Sequence, residues 1–180
     1  MEKWKVTDRR EVYADPPWLR IHSETVHLPD GKVVEGFHQV QLLDYALMMV
    51  EREDGRFIVI RQYKHGVRDV SLMPPAGGMN PGEDPLETAR RELMEETGHE
   101  ATGWRKLTEM VTHANQRCSV GHLYYASGAR QVATPNSGDL EEQEILYLTR
   151  DEIRAAIRNG EVKSTSALAG FSLVIAGILP

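Results

Sequence analysis

The residues best suited to chemistry lie between Gly77 and Gly98, where a glycine-rich loop leads into a helix dense in acidic side chains. At about 100° per residue, Glu92, Glu95 and Glu96 fall on one face of this helix. An apolar stripe falls on another face, roughly 120° away by the same geometry. The stripe consists of Leu86, Ala89, Leu93 and Thr97. The stripe can therefore face a core while the three carboxylates converge on one patch.

The three carboxylates favour a bound cation. Like charges three and four residues apart on a helix repel one another. Carboxylate oxygens are the ligands of hard cations such as Mg²⁺ or Mn²⁺, which also bind substrate phosphates. Arg90 and Arg91 lie among the acids and can orient or partly neutralise them. Because charged helix faces are usually just solvated, the Glu-x-x-Glu-Glu spacing by itself leaves a solvated face open as the alternative.

The pattern extends beyond the three glutamates and resembles the Nudix box. The matching residues are Gly77, Glu83, Arg91-Glu92-Leu93, Glu95-Glu96 and Gly98, with His99 in place of a bulky aliphatic residue. A match of this length is far more specific than a lone glycine motif. The resemblance implies a hydrolase that cleaves a pyrophosphate linkage, and His99 is interpreted as a packing variation.

Other segments resemble the branch of the Nudix superfamily that acts on ADP-ribose and nucleoside diphosphate sugars. They are Arg61-Gln-Tyr-Lys64, Pro75-Ala-Gly-Gly78 and Gly160-Glu-Val-Lys163. This resemblance implies metal ligation by Glu92, Glu95, Glu96 and the carbonyl of Ala76, with Mg²⁺ or Mn²⁺ as the cofactor. Glu83 would support the metal shell, and Arg91 would pair with the carboxylates and hold the loop against the helix.

A base for the attacking water is also required. The branch often takes it from an acidic loop before a late strand, the place that residues 139–144 occupy. Glu142 is the first candidate, followed by Glu141 and Glu144, with Glu96 as the alternative. A merely solvated acidic loop is the other interpretation of this run.

Four basic residues are candidate substrate contacts: Arg61, Lys64, Arg68 and Arg117. Met73-Pro74 stands where the ADP-ribose enzymes commonly have a glutamate, and residues 113–119 lack their proline. ADP-ribose is therefore one candidate among the nucleotide sugars. The alternatives are hydrolysis of nucleoside triphosphates or dinucleotides, and binding of a nucleotide sugar without catalysis.

The elements that must position these residues have clear local signals. Asp84 and Pro85 predict the start of the acidic helix and Gly98 its end. Thr149-Arg-Asp-Glu152 predicts a second helix ending near Gly160, and Ser164 to Ser166 predict the cap of a third. Pro29-Asp-Gly31 and Glu53-Asp-Gly55 predict two hairpins, and further strands are expected at 123–126 and 145–148.

Strands and helices in this order favour an α/β fold, and the resemblance makes it a Nudix-type α/β/α sandwich around a mixed sheet with an N-terminal antiparallel β lobe. We expect the lobe over residues 1–40 and the hydrolase domain over 41–180. The N-terminal strands of this branch usually exchange between subunits, so a homodimer is expected. Trp4 and Trp18 in the lobe are interpreted as core or dimer packing rather than base stacking.

Composition limits the partners. The chain of 180 residues has a formal net charge of −6, which argues against a nucleic-acid partner. Its longest apolar run, residues 167–179, is short for a membrane span, and its start shows no secretory signal. A single cysteine, Cys118, fits a reducing compartment, so we expect a cytoplasmic enzyme acting on a small nucleotide-sugar substrate.

Overall fold

The protein is described from a computed structural model over residues 1–138 and 142–179. The chain divides into two compact units, one containing residues 1–44 and 111–120 and the other containing residues 45–110 and 121–180. No helix in the described ranges is long and apolar enough to cross a membrane.

The first unit is built from three antiparallel strands: β1 (Lys5–Asp15), β2 (Leu19–His27) and β3 (Val33–Gln41). The predicted turn at Pro29-Asp-Gly31 joins β2 to β3, and Gly31 has a φ of 86°, a conformation that glycine adopts without strain. Every residue of β1 is exposed. Within this unit, Arg117 and Cys118 pair in parallel with the end of β3.

The second unit contains the remaining strands and helices. Its strands are β4 (Tyr45–Arg52), β5 (Phe57–Lys64), β6 (Asp69–Met73), β7 (Ala76–Gly78), β8 (His99–Glu100), most of β9 (Arg105–His113) and of β10 (Arg117–Gln131), and β11 (Gln143–Leu148). Its helices are α1 (Pro85–Thr97), α2 (Arg150–Arg158) and α3 (Thr165–Ile175). The sheet is mixed, because β4 runs parallel to β10 while β5 runs antiparallel to β11 and β6.

Strand β4 separates two layers of core. Residues 46–50 are all buried, as expected of a strand covered on both faces. Leu47 and Met49 point into a cluster with side chains of α2 and α3, whereas Ala46 and Met48 point into a cluster with α1. The alternation of side chains along a strand therefore places helices on both faces of the sheet, which is the predicted α/β/α sandwich.

The helix bounds agree with the predicted caps. Asp84 accepts hydrogen bonds from the N–H groups of Leu86 and Glu87, and Gly98 ends α1 with a φ of 68°. Thr149 and Glu152 form the predicted capping box of α2, and Ser164 caps α3. On α1, Ala89, Leu93 and Thr97 are buried, so the predicted apolar stripe faces the core.

Candidate active site

The candidate site is formed by β7, the loop after it and the acidic face of α1. β7 is held in the sheet by antiparallel pairing with β4, where Ala76 lies opposite Leu47 and Gly78 opposite Tyr45. The cap at Asp84 fixes where α1 begins. The loop and the helix therefore bring main-chain atoms of residues 76–78 against the carboxylates of α1.

Arg91 is the centre of this cluster. Its guanidinium donates to Glu83 from Nε (2.9 Å) and Nη2 (3.0 Å), and to the Gly78 carbonyl from Nη2 (3.0 Å). Its Nη1 donates to Glu92 (2.7 Å) and to Glu95 (3.0 Å). One cation thus ties the loop to the helix and separates acids that would otherwise repel one another.

Glu83 is the most strongly held of these acids. It accepts from Arg91 and, at 2.9 Å, from the main-chain N–H of Asn80, and these bonds lower its pKa to about 2. The same bonds to Glu83 raise the pKa of Arg91 above its usual value. This ion pair therefore stays charged at every pH at which the protein would be assayed.

Glu92 explains the glycine at position 77. A Cβ added to Gly77 would overlap the carboxyl group of Glu92. The glycine is therefore needed for close approach rather than for an unusual backbone angle, and it lets the Glu92 carboxylate lie directly against the loop.

Glu96 joins the loop to the helix from the other side. Glu96 is only 6% exposed, and its Oε2 accepts a hydrogen bond from the main-chain N–H of Ala76 at 2.9 Å. The predicted ligands Ala76 and Glu96 are therefore neighbours. Arg90, by contrast, does not join the acidic patch that the sequence suggested, because it pairs with Glu87 one turn earlier at 2.7 Å.

The donor set of this cluster fits a divalent metal ion. Carboxylates backed by main-chain groups, on a loop in which a glycine leaves room for one of them, are suited to Mg²⁺ or Mn²⁺. Within residues 1–138 and 142–179, no three His, Cys, Asp or Glu side chains are gathered closely enough to form a closed cation cage. The Arg91 guanidinium lies between the acids instead.

The second predicted acidic segment lies at the start of β11. Glu142 and Glu144 are exposed and line a cavity of about 480 Å³ together with Arg61, Tyr63 and Val70. Arg61 pairs with Glu144 at 3.1 Å. Glu141, also a candidate base, lies outside the described residues.

The other candidate substrate contacts are separate. Lys64 ends β5, and its carbonyl accepts a hydrogen bond from the main-chain N–H of Arg68 at 2.9 Å in the following turn. Arg68 is exposed, with a φ of 53°. Arg117 belongs to the first unit, where it lines a cavity of about 290 Å³ with Arg9 and Gln39.

His99 is a packing residue, as interpreted from the sequence. It is 2% exposed, its Nδ1 lies 2.8 Å from the Thr97 carbonyl, and its ring contacts Tyr147 edge to face. Burial lowers the pKa of His99, so the ring is neutral near pH 7.

Two contacts of α1 were not anticipated from the sequence. The main-chain N–H of Asn136 donates to the Glu95 carbonyl (2.8 Å), and Nε2 of Gln143 donates to the Glu96 carbonyl (2.7 Å). Only the position of Gln143 between two acidic residues could have drawn attention to it, and that signal is weak.

Comparison with protein families agrees with this geometry. Residues 42–168 match the NUDIX domain, and residues 4–40 match the nucleoside diphosphate sugar hydrolase N-terminal domain. A CMP-5'-(N-acetyl-N-hydroxy-3-aminopropyl)phosphonate hydrolase of Streptomyces rubellomurinus is 31% identical, over 96% of this chain and 82% of the relative. An ADP-ribose pyrophosphatase of Bacillus subtilis is 26% identical, over 80% of this chain and 78% of the relative.

The fold has a solved counterpart. The crystal structure of an ADP compounds hydrolase superposes with a TM-score of 0.81 at 16% identity, covering 99% of this chain and 95% of that one. Taken with the family match over residues 42–168, the chain belongs to the Nudix family and is a hydrolase that acts on phosphorus anhydrides.

Proposed function

We propose that the protein hydrolyses the diphosphate of a nucleoside diphosphate linked to a sugar or a similar group. The products would be a nucleoside monophosphate and a sugar phosphate. Mg²⁺ or Mn²⁺ would be held by Glu92, Glu95, Glu96 and the Ala76 carbonyl. Nudix hydrolases generally use divalent metal ions, and the donor set of this site suits them.

The observation that carries the proposal is the network around Arg91. One guanidinium holds Glu83, Glu92 and Glu95 and the Gly78 carbonyl within 3.0 Å. A solvated helix face would need none of these bonds, since exposed charges are satisfied by water. The network therefore favours a built site over a merely acidic surface.

Each group of the chain has a definite task in this reaction. When bound, divalent ions would neutralise the diphosphate oxygens and lower the pKa of the attacking water. Arg91 keeps the carboxylates in place, and Arg61 can contact the diphosphate from the cavity near Glu142. Glu142 accepts a proton from the attacking water while the water oxygen bonds to one phosphorus. The P–O bond of the anhydride breaks at the same phosphorus, and the other phosphate ester leaves. Glu96 is the alternative base.

Four further residues have a proposed or predicted role. Glu83 supports the metal ligands through Arg91. Lys64 ends β5, the strand that carries Arg61, and Arg68 lies in the turn after it, so both would offer additional positive charge to the substrate. Arg117, which belongs to the first unit, stays a candidate substrate contact predicted from the sequence.

The named relatives support the reaction class more than any single substrate. The substrates in their names differ in the base and in the group beyond the phosphorus, one being a CMP-linked phosphonate and the other ADP-ribose. What they share is a phosphorus anhydride attached to a nucleoside. The match of residues 4–40 to a nucleoside diphosphate sugar hydrolase domain favours a sugar as the second half.

A substrate panel tests the proposal. ADP-ribose, GDP-mannose, UDP-glucose, ADP-glucose, a dinucleoside polyphosphate and the nucleoside triphosphates are each incubated with Mg²⁺ or Mn²⁺, and the products are identified by ³¹P NMR. We expect a nucleoside monophosphate and a sugar phosphate from at least one nucleotide sugar. Rapid hydrolysis of a triphosphate or a dinucleotide, with every nucleotide sugar left intact, would reverse the assignment.

We also propose that the first unit mediates a homodimer. Its β1 is exposed along its whole length, and Trp4, Tyr13 and Trp18 are more than half exposed. An uncovered strand with exposed aromatic side chains is typical of an interface. Light scattering after gel filtration should give twice the mass of 20.3 kDa, and Trp18→Ser with Tyr13→Ser should shift the species towards the monomer.

A further inference from the structure

The C-terminal end of α1 is bonded to the segment that leads into β11. The last four carbonyls of a helix have no partner within the helix and must be satisfied from outside. The Met94 carbonyl accepts from the Gly98 N–H, as is usual at a glycine cap. The next two carbonyls accept from residues far along the chain, Glu95 from Asn136 (2.8 Å) and Glu96 from the side chain of Gln143 (2.7 Å).

These two bonds hold the chain to α1 at two points, one before β11 and one at its first residue. Asn136 precedes residues 137–142, and Gln143 follows them as the first residue of the strand. Gln143 lies between two exposed neighbours, Glu142 and Glu144. The carbonyls of α1 therefore set where the chain carrying Glu142 enters the sheet.

Glu96 is held from two directions by this arrangement. Its side chain accepts from the Ala76 N–H, and its main-chain carbonyl accepts from Gln143. The start of β7, the acidic helix and the start of β11 thus meet at Glu96, which is 6% exposed.

Gln143 is itself enclosed. Gln62 lies directly opposite it in the pairing of β5 with β11 and is only 3% exposed. Nε2 of Gln62 and Oε1 of Gln143 are buried atoms, and neither has a hydrogen-bond partner among the residues that the structure describes. One is a donor and the other an acceptor, but the two are not bonded to each other. Both residues also line the cavity of about 480 Å³ that contains Arg61 and Glu142.

From these contacts we infer that Gln143 is a positioning residue that fixes the start of β11, with Glu142, relative to Glu96. The inference rests on the proposed function, in which Glu142 is the base and Glu96 a metal ligand. The role that we assign to Gln143 rests on its bond to the Glu96 carbonyl and not on a contact with the substrate or the metal. Its loss should therefore lower kcat by about 10–100-fold, the usual effect of removing a partner that orients a ligand, while KM changes by less than about 3-fold.

The test uses two variants and a matched control. Gln143→Met keeps the length of the side chain but removes its hydrogen bonds, and Gln143→Asn keeps the amide but shortens its reach by one methylene. Gln131→Met is the control, because Gln131 also donates its amide to a main-chain carbonyl, that of Ala133, but on an exposed part of β10. For each protein, kcat and KM are measured with the best nucleotide sugar, and hydrogen exchange is followed in the last turn of α1 and in β11.

We expect both Gln143 variants to lose kcat at nearly constant KM and to exchange faster in both peptides, with Gln131→Met unchanged. Wild-type kcat in the folded variants, or a rise in KM equal to the fall in kcat, would overturn the inference. If Gln143→Met does not fold, Gln143→Asn decides. If the wild-type protein cleaves no diphosphate substrate, the proposed function fails, and exchange alone decides whether Gln143 anchors β11.

Discussion

The two acidic segments of the second unit have similar compositions but different environments. On α1, Glu92 and Glu95 share one guanidinium with Glu83, and the Glu92 and Arg91 side chains are 14% and 29% exposed. At the start of β11, Glu144 has a single ion pair with Arg61, in which the two side chains are 58% and 46% exposed. The first segment is tied together by ion pairs, and the second is open to solvent.

This difference matches the two tasks that we assign to the segments. Ligands of a metal ion must be held in a fixed arrangement, because their mutual repulsion is otherwise relieved by moving apart. A base only has to exchange a proton with water and can act from an exposed position. In the proposed function, the glutamates of α1 and the glutamates near β11 therefore have different roles, and their neighbours rather than the residue type are the basis of that assignment.

The largest expected effect comes from the first segment. Glu96→Gln keeps the shape of the side chain and an oxygen that can accept from Ala76, so the fold should persist. Turnover should fall by about 10³-fold, since a lost metal ligand removes several kcal/mol of transition-state stabilisation. Steady-state kinetics across Mg²⁺ concentrations measures this, with Glu100→Gln on β8 as the control. Wild-type turnover in Glu96→Gln would contradict the assignment of the metal site to α1.

A smaller loss should follow from the exposed segment. Glu142→Gln should lower kcat by about 10²-fold, as expected for removal of a general base, and steady-state kinetics with the best nucleotide sugar measures this loss. Glu144→Gln and Glu141→Gln belong in the same series, and Glu53→Gln in an exposed turn is the control. If Glu144→Gln or Glu141→Gln has the larger effect, the base is that residue and the role of Glu142 is wrong.

Gly77→Ala probes how tightly the first segment is packed. The added methyl group would overlap the Glu92 carboxylate, which can swing aside at small cost because it ends a flexible side chain. We therefore expect a folded protein with kcat lowered by about 10-fold, because small misplacements of a reacting group are costly. Gly66→Ala is the matched control, since a Cβ there meets nothing within 4 Å. Equal kcat in the two variants would mean that the close approach of Glu92 to Gly77 does not matter for turnover.

The smallest effect concerns stability and pH. The pKa of Glu83 is lowered from 4.5 to about 2 by its bonds to Arg91 and Asn80. The unfolded chain therefore takes up this proton first as the pH falls. The stabilisation is complete above about pH 4.5 and is lost as the pH falls towards 2.

Glu83→Gln should accordingly reduce the urea midpoint at pH 7 and reduce it less at pH 4 and below. Glu144→Gln should change the midpoint little at either pH, because an exposed ion pair contributes little. A constant difference between Glu83→Gln and the wild type from pH 7 to pH 3 would contradict the assigned ion pair.

The local part of the fold could be predicted from the sequence. The starts of α1, α2 and α3 follow from Asp84, Thr149 and Ser164, because a capping residue acts within its own turn. The hairpins at Gly31 and Gly55 follow from turn chemistry for the same reason. That Glu92 and Glu95 lie on one face of α1 could also be predicted, because spacing along a helix determines which side chains share a face.

Features that depend on contacts between residues far apart in the sequence could not be predicted. Strand β10 was expected over 123–126 but runs over 117–131, because its length is set by β4 and β3 rather than by its own apolar residues. Gln143 contacts Glu96 across 47 positions of sequence. The separation of Arg90 from the acidic patch follows from its bond to Glu87, which competes with every other acid nearby.

Gly98 closes the acidic motif, but its own contacts concern folding. It has a φ of 68°, its carbonyl accepts from Val132 and Ala133, and a Cβ there would overlap the Ala133 carbonyl oxygen. An enzyme that lost its metal ligands and its catalysis would still need this glycine in order to fold. In a related sequence that had lost its activity, Gly98 would therefore indicate only the shared fold. The acids before it would be the residues that indicate hydrolysis.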